Sequence, residues 1–337
     1  MSDPIAELLS LLGIALIGLL IWAALAPFEA LGWWAGWFGD KIYQEDAPVL
    51  LPTESHKPNA DFYVLFLSGI SRVSGETFSR REQNFLKHLA QAMPGALVID
   101  NIFPYSVNNL PLTGQPIFAG LWQWALRRKL SRHWLERLAG YLINLRNMWQ
   151  VAISIDKRYG PIYNQSMAQV IVNTLLRYGY DLDARCPIIL VGYSGAGQIA
   201  VGTATYLKEE LSAPVFVISM GGIFGSDAGL LAADHVYHLY GTKDRPQKLG
   251  KILFPGRWPF FFYSTWNRAV RMGRVSEICL GSISHAGHTG YLTTSRKLPD
   301  GLSHLEKTVQ TIASLPYESH TLRPDSGPAV ATPLSLS

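Results

Sequence analysis

The run Gly192-Tyr193-Ser194-Gly195-Ala196 stands between the apolar stretch PIILV and an amphipathic segment that begins at Gly197. A serine on so sharp a strand-to-helix turn holds its hydroxyl clear of the backbone, where a neighbouring base can take its proton. The turn needs small residues two places either side of the serine, because larger side chains would collide with nearby backbone. Gly192 meets that need, and Ala196 stands where a second glycine is usual. A relaxed G-x-S-x-[GA] pattern turns up by chance about 0.4 times in a chain of this composition, so its setting carries more weight than the motif. Other groups able to do chemistry follow downstream: Asp227, Asp244, His285 and His288. The spacing His285-x-x-His288 suits a metal pair, but no other cluster of Cys, His, Asp or Glu completes a site, and no metal is expected. No Walker or dinucleotide glycine fingerprint is present, so no organic cofactor is expected either.

These residues need a frame, and short apolar runs supply one. Strands are expected at Phe62–Leu67, Ala96–Ile99, Pro187–Val191, Pro214–Ser219, His235–Tyr240 and Glu277–Leu280. Their apolar residues are mostly continuous rather than alternating, the pattern of strands covered on both faces of a parallel sheet. Helices are expected at Ser79–Ala92, Ser166–Tyr178, Gly197–Glu210 and Ser303–Leu315, and the gap from Leu67 to Ala96 has room for a crossover. The sum is an α/β fold, a doubly wound and mostly parallel sheet with helices on both faces. The excess between the second and third strands, about 101–162, is helical, aromatic and basic, and reads as a lid. His238 lies inside a strand run and reads as a core or sheet-surface histidine.

In this setting the chain resembles the α/β-hydrolase superfamily from about Asp61 to Leu315. The resemblance rests on the Ser194 elbow, on Gly241-Thr242-Lys243-Asp244-Arg245-Pro246 after the fifth strand, and on the loop Gly281 to Leu292 after the sixth. It implies a triad in the chain order serine, acid, histidine. Ser194 is then the nucleophile and Asp244 the acid, which is favoured over Asp227 because GTKDRP is the closer match to the family's acid loop. His288 is favoured over His285 as the base, because His288-Thr-Gly-Tyr-Leu resembles the family's histidine followed by an aromatic entering the last helix. The resemblance also implies an oxyanion hole of two backbone N–H groups, Gly195 and one after the first strand, placed at Ile70. Ser68-Gly69 stands there instead of the usual His-Gly. The implied chemistry is acyl transfer through an acyl-enzyme, released by water or by another nucleophile.

Residues 1–41 read as a membrane anchor with an interfacial end. From Leu8 to Phe28 the chain carries no charge, long enough for a hydrocarbon core of about 30 Å. The preceding MSDPIAE has acidic residues and no Lys or Arg, unlike a cleaved signal peptide. Three tryptophans between Ala30 and Phe38 suit an interfacial belt, and Lys41 leans the single-pass topology towards a cytoplasmic domain. That domain is expected over 42–316, with 317–337 a disordered tail rich in Ser, Pro and Thr. Within the lid, Trp122, Trp124 and Trp134 stand among Arg127, Arg128, Lys129, Arg132, Arg137 and Arg146, a mixture that suits either an anionic leaflet or a solvated helix.

Composition agrees with a lipid-facing protein. Of 337 residues, 48% are hydrophobic and 16% charged, against a usual charged share of roughly 25%. The net charge of +4, from 29 basic and 25 acidic residues, is too small for a dedicated nucleic-acid binder. The two cysteines, Cys186 and Cys279, sit in apolar runs and are expected as buried thiols rather than a disulfide framework. The partners expected are a lipid or other acyl-ester substrate and the bilayer. Two readings stand beside the esterase or lipase: a silent hydrolase fold serving as a membrane scaffold, and an acyltransferase or thioesterase using the same triad.

Overall fold

The computed structural model describes residues 4–36, 60–72, 74, 78–107, 109 and 134–317. Its six strands are β1 (Phe62–Leu67), β2 (Ala96–Ile99), β3 (Ile188–Tyr193), β4 (Val215–Met220), β5 (His235–Tyr240) and β6 (Val275–Cys279). They form one all-parallel sheet in the order β2-β1-β3-β4-β5-β6. Side chains alternate along each strand between two cores. Tyr63, Leu65 and Leu67 of β1 enter one, and Val64 and Phe66 enter the other. In β3, Ile188 and Leu190 oppose Ile189 and Val191 in the same way. Both faces of the central strands are covered, which is why β1, β3 and β4 read as unbroken apolar runs.

The helices are α1 (Pro4–Leu25), α2 (Phe28–Trp34), α3 (Arg80–Ala92), α4 (Trp134–Ile155), α5 (Gly160–Arg177), α6 (Ala196–Leu211), α7 (Gly229–Ala232), α8 (Arg245–Leu253), α9 (Thr265–Arg271) and α10 (His304–Ala313). Phe85 and Leu89 of α3 and Leu305 and Val309 of α10 fill one core, while α5 and α6 close the other. Ser79 and Ser303 cap α3 and α10, each in a reciprocal pair with the glutamate three residues on. Such capping satisfies backbone N–H groups that a helix start leaves open.

The chain reverses its winding between β1 and β3, since β2 lies on one side of β1 and β3 on the other. Leu67 pairs in register with Gly192, so the loops after these two strands leave the sheet side by side. Open α/β sheets bind ligands at such a switch point.

Among the described residues no helix is long and apolar enough to cross a membrane. Over its full sequence α1 has 22 residues and no charge after Glu7, so the spanning role expected for it rests on sequence alone. Ile5, Leu9, Leu11 and Ile14 of α1 are exposed, whereas contact with the domain begins near its far end. Trp22 and Ala26 pack against the core, Ala30 is buried in it, and α2 lies against α5. Of the expected lid, α4 is helical and covers 134–155; Trp122, Trp124, Arg127, Arg128, Lys129 and Arg132 lie outside the described residues, as does the tail from 318. The expectation of two buried thiols is corrected: Cys186 is partly exposed and Cys279 exposed. Cys279 ends β6, the edge strand, and an apolar run at an edge keeps one side open.

Candidate active site

β3 ends at Tyr193 and α6 starts at Ala196, so Ser194 and Gly195 carry the whole turn. Ser194 adopts φ +57°, a left-handed conformation that non-glycine residues rarely hold without a reason. Its N–H donates to Met220 O at 3.0 Å, and its carbonyl accepts from Gly197 N at 3.0 Å. These bonds pin the turn to the end of β4. A Cβ on Gly192 would lie 2.6 Å from Ala196 O, the collision that makes a small residue necessary two places before the serine. Ala196 fits at the second position, fully buried.

Two later strand ends meet this serine. Asp244 follows β5 and caps α8, its Oδ1 accepting Gln247 N at 3.1 Å. His285 follows β6. Its Nε2 lies 2.8 Å from Ser194 Oγ, and its Nδ1 lies 3.0 Å from both carboxylate oxygens of Asp244. Asp244 is fully buried, and the imidazole is largely so. Tyr193 donates its hydroxyl to His285 O at 2.6 Å and stacks on the ring with centroids 5.9 Å apart. Tyr291 donates to Asp244 Oδ2 at 2.6 Å and accepts from Gly241 N at 2.9 Å. Burial and the adjacent carboxylate hold the Tyr291 proton in place well above the ordinary phenol range.

The histidine that meets Ser194 is therefore not the one the sequence pointed to. His288 lies on a short 3-10 turn, Gly287–Thr289, with its Nδ1 3.3 Å from Arg81 Nη2. The physical reason is a closed loop. Ser284 N donates to Thr289 O at 2.9 Å, and Ser284 bridges to Gly290. His285 leaves the base of that loop towards the serine, whereas His288 sits at its exposed tip. The aromatic residue that drew attention to His288 is Tyr291, and its hydroxyl serves Asp244 instead.

Asp227, the rival acid, binds elsewhere. Its oxygens accept Gln198 Nε2 at 3.2 Å and Gly229 N at 2.9 Å, and burial pushes its carboxyl up. It braces α6 against α7. His238 is fully buried between Ser219 Oγ and Gln247 Oε1, at 3.3 and 3.4 Å. Burial and the Arg257 charge lower it to about 4. Among the described residues no group of three or more His, Cys, Asp and Glu side chains could hold a metal ion.

Ile70, after β1, faces the elbow: a Cβ on Gly195 would lie 3.0 Å from Ile70 Cγ2 and 2.8 Å from Val151 Cγ2. Its loop is held by side chains that sequence reasoning missed. Asn147 of α4, fully buried, donates Nδ2 to Ile70 O at 2.7 Å and to Arg72 O at 2.8 Å. Tyr105 donates to Ser68 O at 2.8 Å, and Tyr163 donates to Pro104 O at 2.7 Å behind it. Nothing in the spacing of α4 marks Asn147, since its role depends on a loop more than 70 residues earlier. A Ser–His–Asp chain at the carboxyl ends of three strands can pass a proton from a hydroxyl to an imidazole held by a buried carboxylate. No protein-family model, no curated protein and no solved structure matches the chain.

Proposed function

We propose that this chain is a membrane-tethered serine hydrolase of the α/β-hydrolase type, cleaving an acyl ester through an acyl-enzyme. One observation carries the reading: His285 bridges Ser194 Oγ at 2.8 Å and Asp244 at 3.0 Å. In this mechanism His285 Nε2 takes the Ser194 proton while Oγ attacks the ester carbonyl. Asp244 accepts from Nδ1–H, fixes the tautomer and balances the imidazolium. The N–H groups of Gly195 and Ile70 receive the negative charge on the former carbonyl oxygen, each worth about 10²–10³ in rate. The imidazolium then gives its proton to the departing alkoxide, and water repeats the sequence to free the acid.

The lipid-facing part of the reading draws on α1. At about 1.5 Å per residue its length matches a hydrocarbon core of about 30 Å, and its sequence after Glu7 is uncharged. The contact of Trp22, Ala26 and α2 with the core would hold the domain against the bilayer. The domain lies on the cytoplasmic side, on the charge balance around the span. The connection from β2 to β3, including α4, acts as the lid. The substrate class is an acyl ester of a lipid or of similar apolarity.

The test is covalent labelling of the full chain with a fluorophosphonate. Labelling of the native protein, abolished in Ser194→Ala and His285→Ala variants that keep their circular-dichroism spectrum, supports the hydrolase. A folded native protein that takes up no probe would leave the scaffold reading in its place.

A further inference from the structure

The segment 245–274 links the acid Asp244 to β6, and it has a composition unlike the rest of the chain. It holds seven basic residues, among them Arg245, Lys248, Lys251, Arg268 and Arg271, and not one Asp or Glu. It also turns large apolar side chains outward. Ile252, Leu253, Phe260, Phe262 and Met272 are each at least 60% exposed, and Tyr263 is 93% exposed.

This exposure is built in. Asn267 donates Nδ2 to Trp258 O at 2.8 Å and to Phe261 O at 3.0 Å, and Ser264 N donates to Phe261 O at 2.9 Å. The aromatic turn is thereby tied to α9. Phe260 packs on Phe261 with ring centroids 5.0 Å apart, and Trp258 stands 5.5 Å from Phe260. Beneath them Trp266 is buried, with the Arg257 guanidinium 3.8 Å from its ring centroid. Trp266 and Ala269 belong to the domain's main core, so the turn is anchored to it through α9, while Phe260, Phe262 and Tyr263 face outward. Exposed apolar surface of this extent marks an interaction site.

We propose that segment 245–274 is a second membrane-contact surface, seating its aromatic turn among the headgroups of an anionic bilayer. Basic and aromatic side chains together fit such a surface, because rings partition into the interface while Lys and Arg meet anionic lipid. Lys251 and Arg257 pair with Glu277 of β6. The sign of the remaining charge, on Arg245, Lys248, Arg268, Arg271 and Arg274, chooses this occupant over a second copy of the chain docked face to face, which would set these cations against their own equivalents. The contact is separate from α1 and concerns the same domain near its active site, since Asp244 caps α8. The proposal adds to the membrane-tethered reading above, but it needs none of the Ser194 chemistry.

The experiment uses the full chain with Cys186→Ser and Cys279→Ser, labelled with an environment-sensitive nitrobenzoxadiazole dye at Tyr263→Cys or, as control, at Gln310→Cys. Gln310 is exposed on α10, across the sheet from α5 and α6. The protein is placed in vesicles of phosphatidylcholine alone or with about one third phosphatidylglycerol, each with doxyl-labelled lipid as quencher. Dye at 263 in anionic vesicles should be quenched at least about twofold more than dye at 310, and more than dye at 263 in neutral vesicles. Quenching at 263 no greater than at 310 would overturn the contact, and equal quenching in both compositions would overturn its anionic preference. Dye at 263 that shifts to the blue without quenching would mean that protein, not lipid, covers the turn. Fluorophosphonate labelling read in parallel separates this result from the hydrolase reading, because loss of labelling leaves the quenching pattern standing.

Discussion

The Tyr291 hydroxyl lies 2.6 Å from Asp244 Oδ2 while accepting the Gly241 N–H at 2.9 Å, so one phenol ties the acid to the loop that carries it. A buried carboxylate holds its orientation only while its oxygens stay engaged, and here His285, Gln247 and Tyr291 engage them. We predict that Tyr291→Phe lowers the fluorophosphonate labelling rate by about tenfold and costs about 1–3 kcal/mol of stability, because a buried backbone N–H loses its acceptor. Labelling kinetics and urea denaturation check both effects. An unchanged rate would remove Tyr291 from any role in positioning Asp244.

The two histidines of the last loop separate cleanly by mutation. On the proposed mechanism His285→Ala should lose at least about 10³-fold in activity on a short water-soluble ester, since it removes a member of a triad that would act as a unit. His288→Ala should stay within about threefold of the native protein, as its partner is Arg81 and it is the more exposed of the two. The reverse outcome would mean that the loop rearranges when substrate binds.

Asn147 links the connection between β2 and β3 to the loop after β1. Asn147→Ala removes a donor from the Ile70 and Arg72 carbonyls, and small displacements of the oxyanion donor proposed at Ile70 would be costly in rate. The prediction is a fall of about 10–100-fold in kcat with KM within about threefold, the pattern of an interaction made mainly in the transition state. A change confined to KM would place Asn147 in substrate binding instead.

His238 should make stability depend on pH. Folding lowers it from its ordinary 6.5 to about 4, so the unfolded chain takes up its proton first as pH falls. Its contribution is therefore fully present above pH 6.5 and drains away as pH falls towards 4. At about 1.4 kcal/mol per pH unit the total is about 3 kcal/mol. Urea midpoints measured from pH 7.5 to 4.5 should fall more steeply for the native protein than for His238→Gln. Parallel curves would show that this histidine gives up its proton no more readily when folded.

Much of this molecule was legible in its sequence, for reasons particular residues make plain. The central strands β1, β3 and β4 announced themselves because a sheet buried on both faces admits few polar residues, and Ser194 because its turn excludes bulk at Gly192 and Ala196. The base did not. His285 and His288 have the same chemistry three residues apart, and what separates them is the bond from Ser284 N to Thr289 O that closes the loop between them. Asn147 and Tyr105 were illegible for a related reason, since each acts on backbone carbonyls far away in the chain. The short helices α8 and α9 are not legible either, because at nine and seven residues each is too short for its apolar periodicity to stand out.

The strand order has a consequence for assembly. Ser194, Asp244 and His285 leave the ends of β3, β5 and β6, with β4 between the first two strands. Parallel neighbours cannot pair through a tight turn, so each contact in this set closes a long stretch of chain. Ser194 meets its histidine only when the outermost strand has docked on one edge of the sheet. Reactivity at that hydroxyl is therefore a report on completed tertiary structure: a partly folded chain could carry every helix and most of the sheet and remain chemically mute.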